Sequence, residues 1–266
     1  MYRIFLAFLA IAVWLAFVPP RFILSWITRR TDGRVVFFFN PVVNDGKPVI
    51  YLTIDDSPTE YTKEILDVLD KVGGRALFFV IGKYARANKE VLQDIISRGH
   101  LVGNHDDENR LTANPFRSPE AIIQGLSMCE NTLTDKQKES SLTPAGTHLM
   151  GLTPAGIHLM GLTPAGTHKM GLTRWMRPGC GWVSPVLLDV AKKMNLWILL
   201  GDVYGHDCQF QWAPKFLRWF YLSRVRSGSV VILHDGSKRR AENTASIILA
   251  LGQKFNILPP PTSLAS

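Results

Sequence analysis

Four segments of the chain each end an apolar, strand-like run in residues that could carry out acid–base or metal-binding chemistry. The first places Asp55 and Asp56 side by side, before Ser57 and Pro58. Adjacent carboxylates repel each other unless one is neutralised, and a common solution is that one binds a cation while the other remains a base. Taken alone, the pair also suits a solvated turn that caps a helix.

The second segment places His105 directly after a short apolar run, in a turn rich in carboxylates. His105 and Asn109 are four residues apart, so a helical turn would put both on one face, where they can reach one ion. This arrangement favours a divalent metal site over a histidine that fills the core.

The third and fourth segments supply a guanidinium and a second imidazole. Arg177 precedes Pro178 and Gly179, and an arginine at a strand end can hold a carboxylate in a bidentate orientation. His234 and Asp235 follow directly on an apolar run. Each segment alone can be read as a cap or a turn, but four such strand ends in one chain favour a shared site.

The elements that must position these residues follow from the alternation of short apolar runs with helical patterns, which is typical of an α/β domain with parallel strands. We predict strands at residues 49–54, 76–81, 101–103, 175–177, 196–200, 229–233 and 255–258, and helices at 60–72, 89–98, 184–193, 213–225 and 241–251. Roughly seven βα units suit a closed or nearly closed barrel, in which the active site lies at the carboxyl ends of the strands.

Composition restricts the class of protein. The chain has 266 residues, of which 46% are hydrophobic and 20% charged, so disorder and collagen are excluded. Three cysteines allow at most one internal disulfide, so the fold does not depend on disulfides. The net charge is +8, but three of these charges lie in the first 32 residues and no basic run interleaved with aromatics follows. Nucleic acid is therefore not an expected partner.

The beginning of the chain differs from the rest. Residues 4–18 contain no charged or polar side chain and follow Arg3, which is typical of a signal peptide or a short membrane anchor. No clear cleavage site lies near Pro19, so we favour a retained signal anchor, with a buried amphipathic helix as the alternative. We predict an anchor or signal peptide at 1–32, one domain at 33–258 and a tail at 259–266. The protein is then membrane-associated through this anchor, or secreted.

Residues 142–171 contain three near-identical ten-residue units: LTPAGTHLMG, LTPAGIHLMG and LTPAGTHKMG. The unit does not fit the periods of known solenoid repeats, so we interpret it as a tandem expansion inserted into a surface loop. The alternative is that His148, His158 and His168, with the neighbouring methionines, bind a soft metal. The spacing fixes no coordination geometry.

Five segments carry a resemblance to a known family: TIDDSP, GNH-x-x-x-N, RPGCG, GDVYGHDCQ and VILHD. Over about residues 48–258 the chain resembles the polysaccharide deacetylases, the NodB-homology carbohydrate esterases that include chitin deacetylases. The resemblance implies a distorted (β/α)7 TIM-like barrel and a divalent metal, Zn²⁺ or alternatively Co²⁺. It also implies a hydrolase that removes N-acetyl groups from a GlcNAc-containing polysaccharide, chitin or a chitin-like polymer, with peptidoglycan as another candidate.

The resemblance also assigns roles, residue by residue. The implied catalytic residues are Asp55 as general base, Arg177 as the residue that orients it, His234 as general acid and Asp207 as the carboxylate that tunes this acid. The implied metal ligands are Asp56, His105 and Asn109. In this scheme the metal activates water, the base takes its proton, and the acid protonates the departing sugar amine.

Two positions depart from the family's pattern. Asn109 stands where most members have a second His, and a neutral amide is a weaker ligand for zinc; Asp106, Asp107 or Glu108 could replace it if the turn is rebuilt. Ser57 stands where the family has Gly, which matters if φ is positive there. The alternative function is therefore a weak or inactive deacetylase-like protein that binds glycan or has a structural role.

Overall fold

The computed structural model describes residues 19–108, 117–141 and 171–262. Three predictions fall outside these residues: the role of Asn109, the anchor at residues 4–18, and the repeat apart from its last residue. They stay predictions. Within the described ranges, no helix is both long and apolar enough to cross a bilayer.

The described strands belong to a sheet in the order β1-β7-β6-β5-β4-β3-β9-β8, with β10 and β2 also paired to β3. Their bounds are β1 Val35–Val36, β2 Val43–Asn44, β3 Lys47–Ser57, β4 Leu77–Val80, β5 Leu101–Asn104, β6 Leu172–Met176, β7 Trp197–Leu199, β8 Val203–Tyr204, β9 Val230–His234 and β10 Asn256–Leu258. The strands pair in parallel, except that β2 is antiparallel to β3. All seven predicted strands are present, whereas the short β1, β2 and β8 were not predicted.

The sheet curls towards closure. An isolated antiparallel bridge joins Phe38, just after β1, to Ser229, just before β9, so the two sides of the sheet approach each other. This confirms the predicted distorted barrel of α/β class and excludes an open doubly wound sheet.

Helices cover the outside of the sheet. Their bounds are α1 Arg21–Arg30, α2 Thr62–Lys71, α3 Gly82–Ala87, α4 Lys89–Ser97, α5 Pro119–Ser141, α6 Pro185–Lys193, α7 Pro214–Arg224 and α8 Lys238–Gly252, with a 3-10 turn at Gly179–Gly181. All five predicted helices are present within a few residues. The additional helices among the described residues are α1, α3 and α5.

Strand β3 shows how the two faces of the sheet are filled. Ile50, Leu52 and Ile54 pack in the largest buried cluster, which includes residues of α2 and α8. Val49 and Tyr51 point to the opposite face and pack with inward residues of β4, β6, β7 and β9 in a separate cluster. Because side chains alternate along a strand, the odd-numbered residues of β3 line the interior of the curled sheet.

Helix α1 belongs to the folded domain. Leu24 is buried in a cluster with residues of α5 and α6. Arg21 Nε donates to Asp202 Oδ2 at 2.8 Å, and Arg21 Nη2 donates to Ser229 Oγ at 3.0 Å. The folded domain therefore starts upstream of the predicted boundary at residue 33.

The contact of Arg21 with Asp202 gives a stability prediction. Arg21→Gln leaves the Asp202 side chain, which is 4% exposed, without its ion pair, so the free energy of unfolding should fall by about 2 to 4 kcal/mol. Arg29→Gln, on the exposed side of the same helix, should change it by less than about 0.5 kcal/mol. Urea unfolding of the two variants measures both values. Equal effects would show that α1 is not held by this contact.

Candidate active site

The interior row of β3 continues to its carboxyl end, where it becomes polar. Thr53 and Asp55 follow Val49 and Tyr51 on the same alternation, and both are buried. Trp175 packs in the same interior cluster, so Arg177, two residues later, extends that row of β6 in the same way. Strand alternation therefore directs Asp55 and Arg177 into one space.

Strand register brings the remaining groups to this edge of the sheet. Asp55 on β3 pairs with His234 on β9, and Asn104 on β5 pairs with Met176 on β6. His105 and Arg177 are the residues that follow this second pair, so they leave the sheet side by side. This register brings Asp55, His105, Arg177 and His234 to one edge of the sheet, whereas their roles stay predictions.

Arg177 and Asp55 form a buried ion pair. Arg177 Nη1 donates to Asp55 Oδ1 at 2.6 Å and to Thr53 Oγ1 at 2.7 Å, and Arg177 Nε donates to the Leu199 carbonyl at 2.7 Å. The guanidinium carbon lies 4.3 Å from the centre of the Phe79 ring. The bidentate contact expected from the sequence is not formed, because the donors are divided among Asp55, Thr53 and Leu199. Burial lowers the pKa of Arg177 and the charge of Asp55 offsets part of this effect, so the guanidinium stays charged.

Asp56 faces the same cleft as Asp55 although it is the next residue. Its φ is 63°, and the register between β3 and β4 shifts between Ile54 and Ser57. Regular alternation would turn Asp56 to the outer face, so this left-handed backbone redirects its side chain. Ser57, where the family has Gly, is not among the residues with positive φ, so its side chain causes no strain there.

Asp56 and His105 fit a divalent cation. Their Oδ1 and Nε2 atoms lie 3.6 Å apart, close to the separation of neighbouring ligands on one ion. His105 Nδ1 lies 2.7 Å from the Arg177 carbonyl, which can only accept, so Nδ1 donates there and Nε2 is the nitrogen that faces Asp56, where a bound ion would take the place of the Nε2 proton. Burial opposes ionisation of Asp56, but a hydrogen bond from His105 and nearby positive charges lower the pKa of the Asp56 carboxyl overall. A carboxylate that stays ionised and a directed imidazole form the start of a metal site.

Two of the three acidic residues that follow His105 are paired with arginines. Asp107 forms a two-bond contact with Arg86 at 2.6 and 2.8 Å, and Asp106 Oδ2 accepts from Arg117 at 2.7 Å. Asp106 and Asp107 are therefore paired with arginines in this arrangement, and the replacement of Asn109 by Asp106, Asp107 or Glu108 as a ligand stays a prediction. Within the described part of the chain, no third His, Cys, Asp or Glu joins Asp56 and His105 as a compact ligand group.

His234 is held by Asp207 through two bonds. Asp207 Oδ1 lies 2.8 Å from His234 Nδ1, and Oδ2 accepts the backbone N–H of His234 at 2.9 Å. Burial lowers the pKa of His234, but the charge and hydrogen bond of Asp207 outweigh it and raise the pKa well above its ordinary value. Nε2 lies 3.8 Å from Asp55 Oδ2, so a cationic imidazole faces the predicted base.

Asp235, the neighbour of His234, has a structural role. Its carboxylate accepts from the hydroxyls of Thr59 and Thr62, and its backbone N–H donates to the Asp55 carbonyl at 3.0 Å. These bonds fix the segment between β3 and α2 against the end of β9, which sets the distance between Asp55 and His234.

Sequence reasoning missed five side chains around the site: Thr53, Phe79, Tyr204, Cys208 and Arg240. Thr53 and Phe79 lie on the interior rows of β3 and β4, so strand alternation was a signal that could have found them. Arg240 Nη1 lies 3.5 Å from Asp56 Oδ2, but this contact depends on where α8 begins relative to β3. The groove between α1 and α7 contains none of these site residues.

Comparisons with known proteins point to one family. The sequence model for polysaccharide deacetylase matches residues 43–145. A chitooligosaccharide deacetylase of Sinorhizobium fredii is 42% identical over 66 residues, which are 24% of this chain and 31% of that protein. An uncharacterised 30.6 kDa protein of Geobacillus stearothermophilus is 43% identical over 227 residues, 79% of this chain and 68% of that protein.

A solved structure shares the fold. The peptidoglycan deacetylase PdaC from Bacillus subtilis is similar with a TM-score of 0.63 and 22% identity, over 82% of this chain and 90% of that one. Because the Geobacillus relative aligns along most of both chains and the family's sequence model covers the segment with Asp55, Asp56 and His105, this chain belongs to the polysaccharide deacetylase family.

Proposed function

We propose that this protein is a metal-dependent hydrolase that removes N-acetyl groups from a GlcNAc-containing polysaccharide. The observation that carries the proposal is the separation of two adjacent carboxylates, Asp55 paired with Arg177 and Asp56 facing His105. The names of the rhizobial relative and of the Bacillus structure make chitin-like oligomers and peptidoglycan the candidate substrates.

Asp55 is suited to accept a proton from the attacking water. Arg177 binds its Oδ1, which fixes the orientation of the carboxylate, while Oδ2 lies on the side of His234. A base held in one orientation within reach of the acid meets the geometric requirement for general acid–base catalysis.

Asp56 and His105 are suited to hold a divalent cation. When bound there, the cation would supply Lewis acidity, which polarises the amide carbonyl and lowers the pKa of water. The Arg177 carbonyl keeps the imidazole turned to Asp56, so the same residue positions the base and one of the ligands.

His234 is suited to donate a proton to the departing amine. The C–N bond of the amide breaks only if nitrogen is protonated, because an amide anion is too basic to leave. Asp207 keeps His234 in its cationic form, and Nε2 is the nitrogen that faces the cleft beside Asp55.

The first test is acetate release from GlcNAc oligomers by the zinc- or cobalt-loaded protein and its Asp55→Asn variant. We expect kcat to fall by about 10²- to 10⁴-fold with oligomer binding retained, because the variant cannot accept the proton. Asp189→Asn, on the exposed side of α6, is the matched control and should keep full activity. A folded, metal-loaded wild type that binds oligomers without releasing acetate would contradict the proposed enzymatic function and favour the glycan-binding alternative.

A second test separates metal binding from acid catalysis with the same substitution at two histidines. His105→Gln should lower the affinity for the first equivalent of Co²⁺ by about 100-fold or more, because it removes a directed ligand. His234→Gln should leave this affinity unchanged and lower kcat by about 10²- to 10⁴-fold. Calorimetric titration measures the affinities. If His234→Gln lowers the affinity for the first equivalent of Co²⁺ as strongly as His105→Gln does, the assignment of His105 as ligand and His234 as acid is wrong.

The raised pKa of His234 predicts the pH dependence. The acid must be protonated, so the rate should fall as pH rises through the pKa of His234. Asp207→Asn removes the charge that raises this pKa, so the alkaline limb of the kcat profile should move down by about one pH unit or more. NMR titration of the His234 ring should show the same shift. An unmoved limb would mean that His234 is not the acid.

A further inference from the structure

A second set of potential metal ligands lies on the acid side of the cleft. A carboxylate oxygen of Asp207, the Sγ of Cys208 and a ring nitrogen of His234 lie within 4.8 Å of one another. This set shares no residue with the Asp56 and His105 pair. It also combines a thiol with an imidazole and a carboxylate, which the proposed catalytic metal site does not.

We propose that Asp207, Cys208 and His234 bind a thiophilic divalent cation, such as Zn²⁺ or Cd²⁺, and that this binding inhibits the enzyme. Zinc prefers sulfur and nitrogen ligands and accepts carboxylate oxygen, at about 2.0 to 2.3 Å. Neighbouring ligands of a tetrahedral ion are then roughly 3.3 to 3.8 Å apart. Because the three donor atoms already lie within 4.8 Å of one another, small movements of the Cys208 and His234 side chains are enough to reach this geometry.

The carboxylate of this site is already fixed. Asp207 is 2% exposed, and the backbone N–H of His234 holds its Oδ2. Oδ1 and His234 Nδ1 are 2.8 Å apart with a proton between them, so an ion can take the place of this proton while Oδ2 stays bound. The ligands are therefore organised before the ion arrives.

The thiol is available to an ion. All three cysteines are free, and Cys208 is partly exposed whereas Cys129 is buried. The N–H groups of Gln209 and Phe210 both donate to the His206 carbonyl, so Cys208 lies within a closed turn beside Asp207. His234 is 12% exposed and Cys208 is partly exposed, so solvent reaches this cluster and water can supply a fourth ligand.

Inhibition follows from the chemistry of His234. An imidazole that binds a cation through one ring nitrogen is no longer an imidazolium, and its remaining N–H is a much weaker acid. The leaving amine then receives no proton. This consequence rests on the proposed function, whereas the binding of the ion does not.

A cobalt titration tests the site without using activity. A thiolate bound to Co²⁺ gives a charge-transfer band in the near ultraviolet, which the oxygen and nitrogen atoms of Asp56 and His105 cannot give. We expect this band to grow with the second equivalent of Co²⁺ and to be absent in Cys208→Ser. Added Zn²⁺ should displace this Co²⁺, so the band should disappear. Cys180→Ser, which removes an exposed thiol, is the matched control and should retain the band.

The activity of the same variants tests the inhibition. Excess Zn²⁺ should inhibit the wild type and Cys180→Ser, and Cys208→Ser should need about tenfold more Zn²⁺ or higher for equal inhibition. Absence of the band in the wild type, or its persistence in Cys208→Ser, would overturn the cation site. A protein that shows the band but never releases acetate would support this site and contradict the proposed function.

Discussion

The buried ion pair between Arg177 and Asp55 is the interaction on which the rest of the site depends. The two side chains are only 2% and 5% exposed, so both charges have lost most of their contact with water. Such a pair is stable only when additional hydrogen bonds replace that water, and Thr53 and Leu199 supply them to the guanidinium. The main chain of Arg177 also bonds to Asn104 and His105, so this residue links β3, β5, β6 and β7 at the carboxyl edge of the sheet.

This ion pair leaves two neighbouring carboxylates with different partners. Asp55 is tied to Arg177, and the left-handed backbone at Asp56 turns the second carboxylate to His105 instead of to the outer face. In the proposed mechanism, Arg177 therefore acts on both halves of the chemistry, since its side chain orients the proposed base and its carbonyl orients a proposed ligand. In the same way, Asp207 orients His234, the proposed acid, and raises its pKa. Asp55, His105 and His234 are therefore each fixed in advance by a partner that does not itself react.

Much of this arrangement could be predicted from the sequence, because strand ends and residue types are local properties. The seven main strands follow from apolar runs, and the carboxyl ends of parallel strands meet at one edge. Strands β1 and β8 have two residues each, too few to show a pattern. The commitment of Asp106 and Asp107 to arginines was also beyond local reasoning, since Arg86 and Arg117 lie on other segments. That the positive φ falls on Asp56 and not on Ser57 could be learned only from the three-dimensional structure.

Anomalous diffraction from crystals with one equivalent of Co²⁺ tests the division between the two carboxylates most directly. The account predicts an ion bonded to Asp56 and to Nε2 of His105, with Asp55 uncoordinated and still bonded to Arg177. An ion bonded to Asp55, or no ion at the Asp56 and His105 pair, would contradict it.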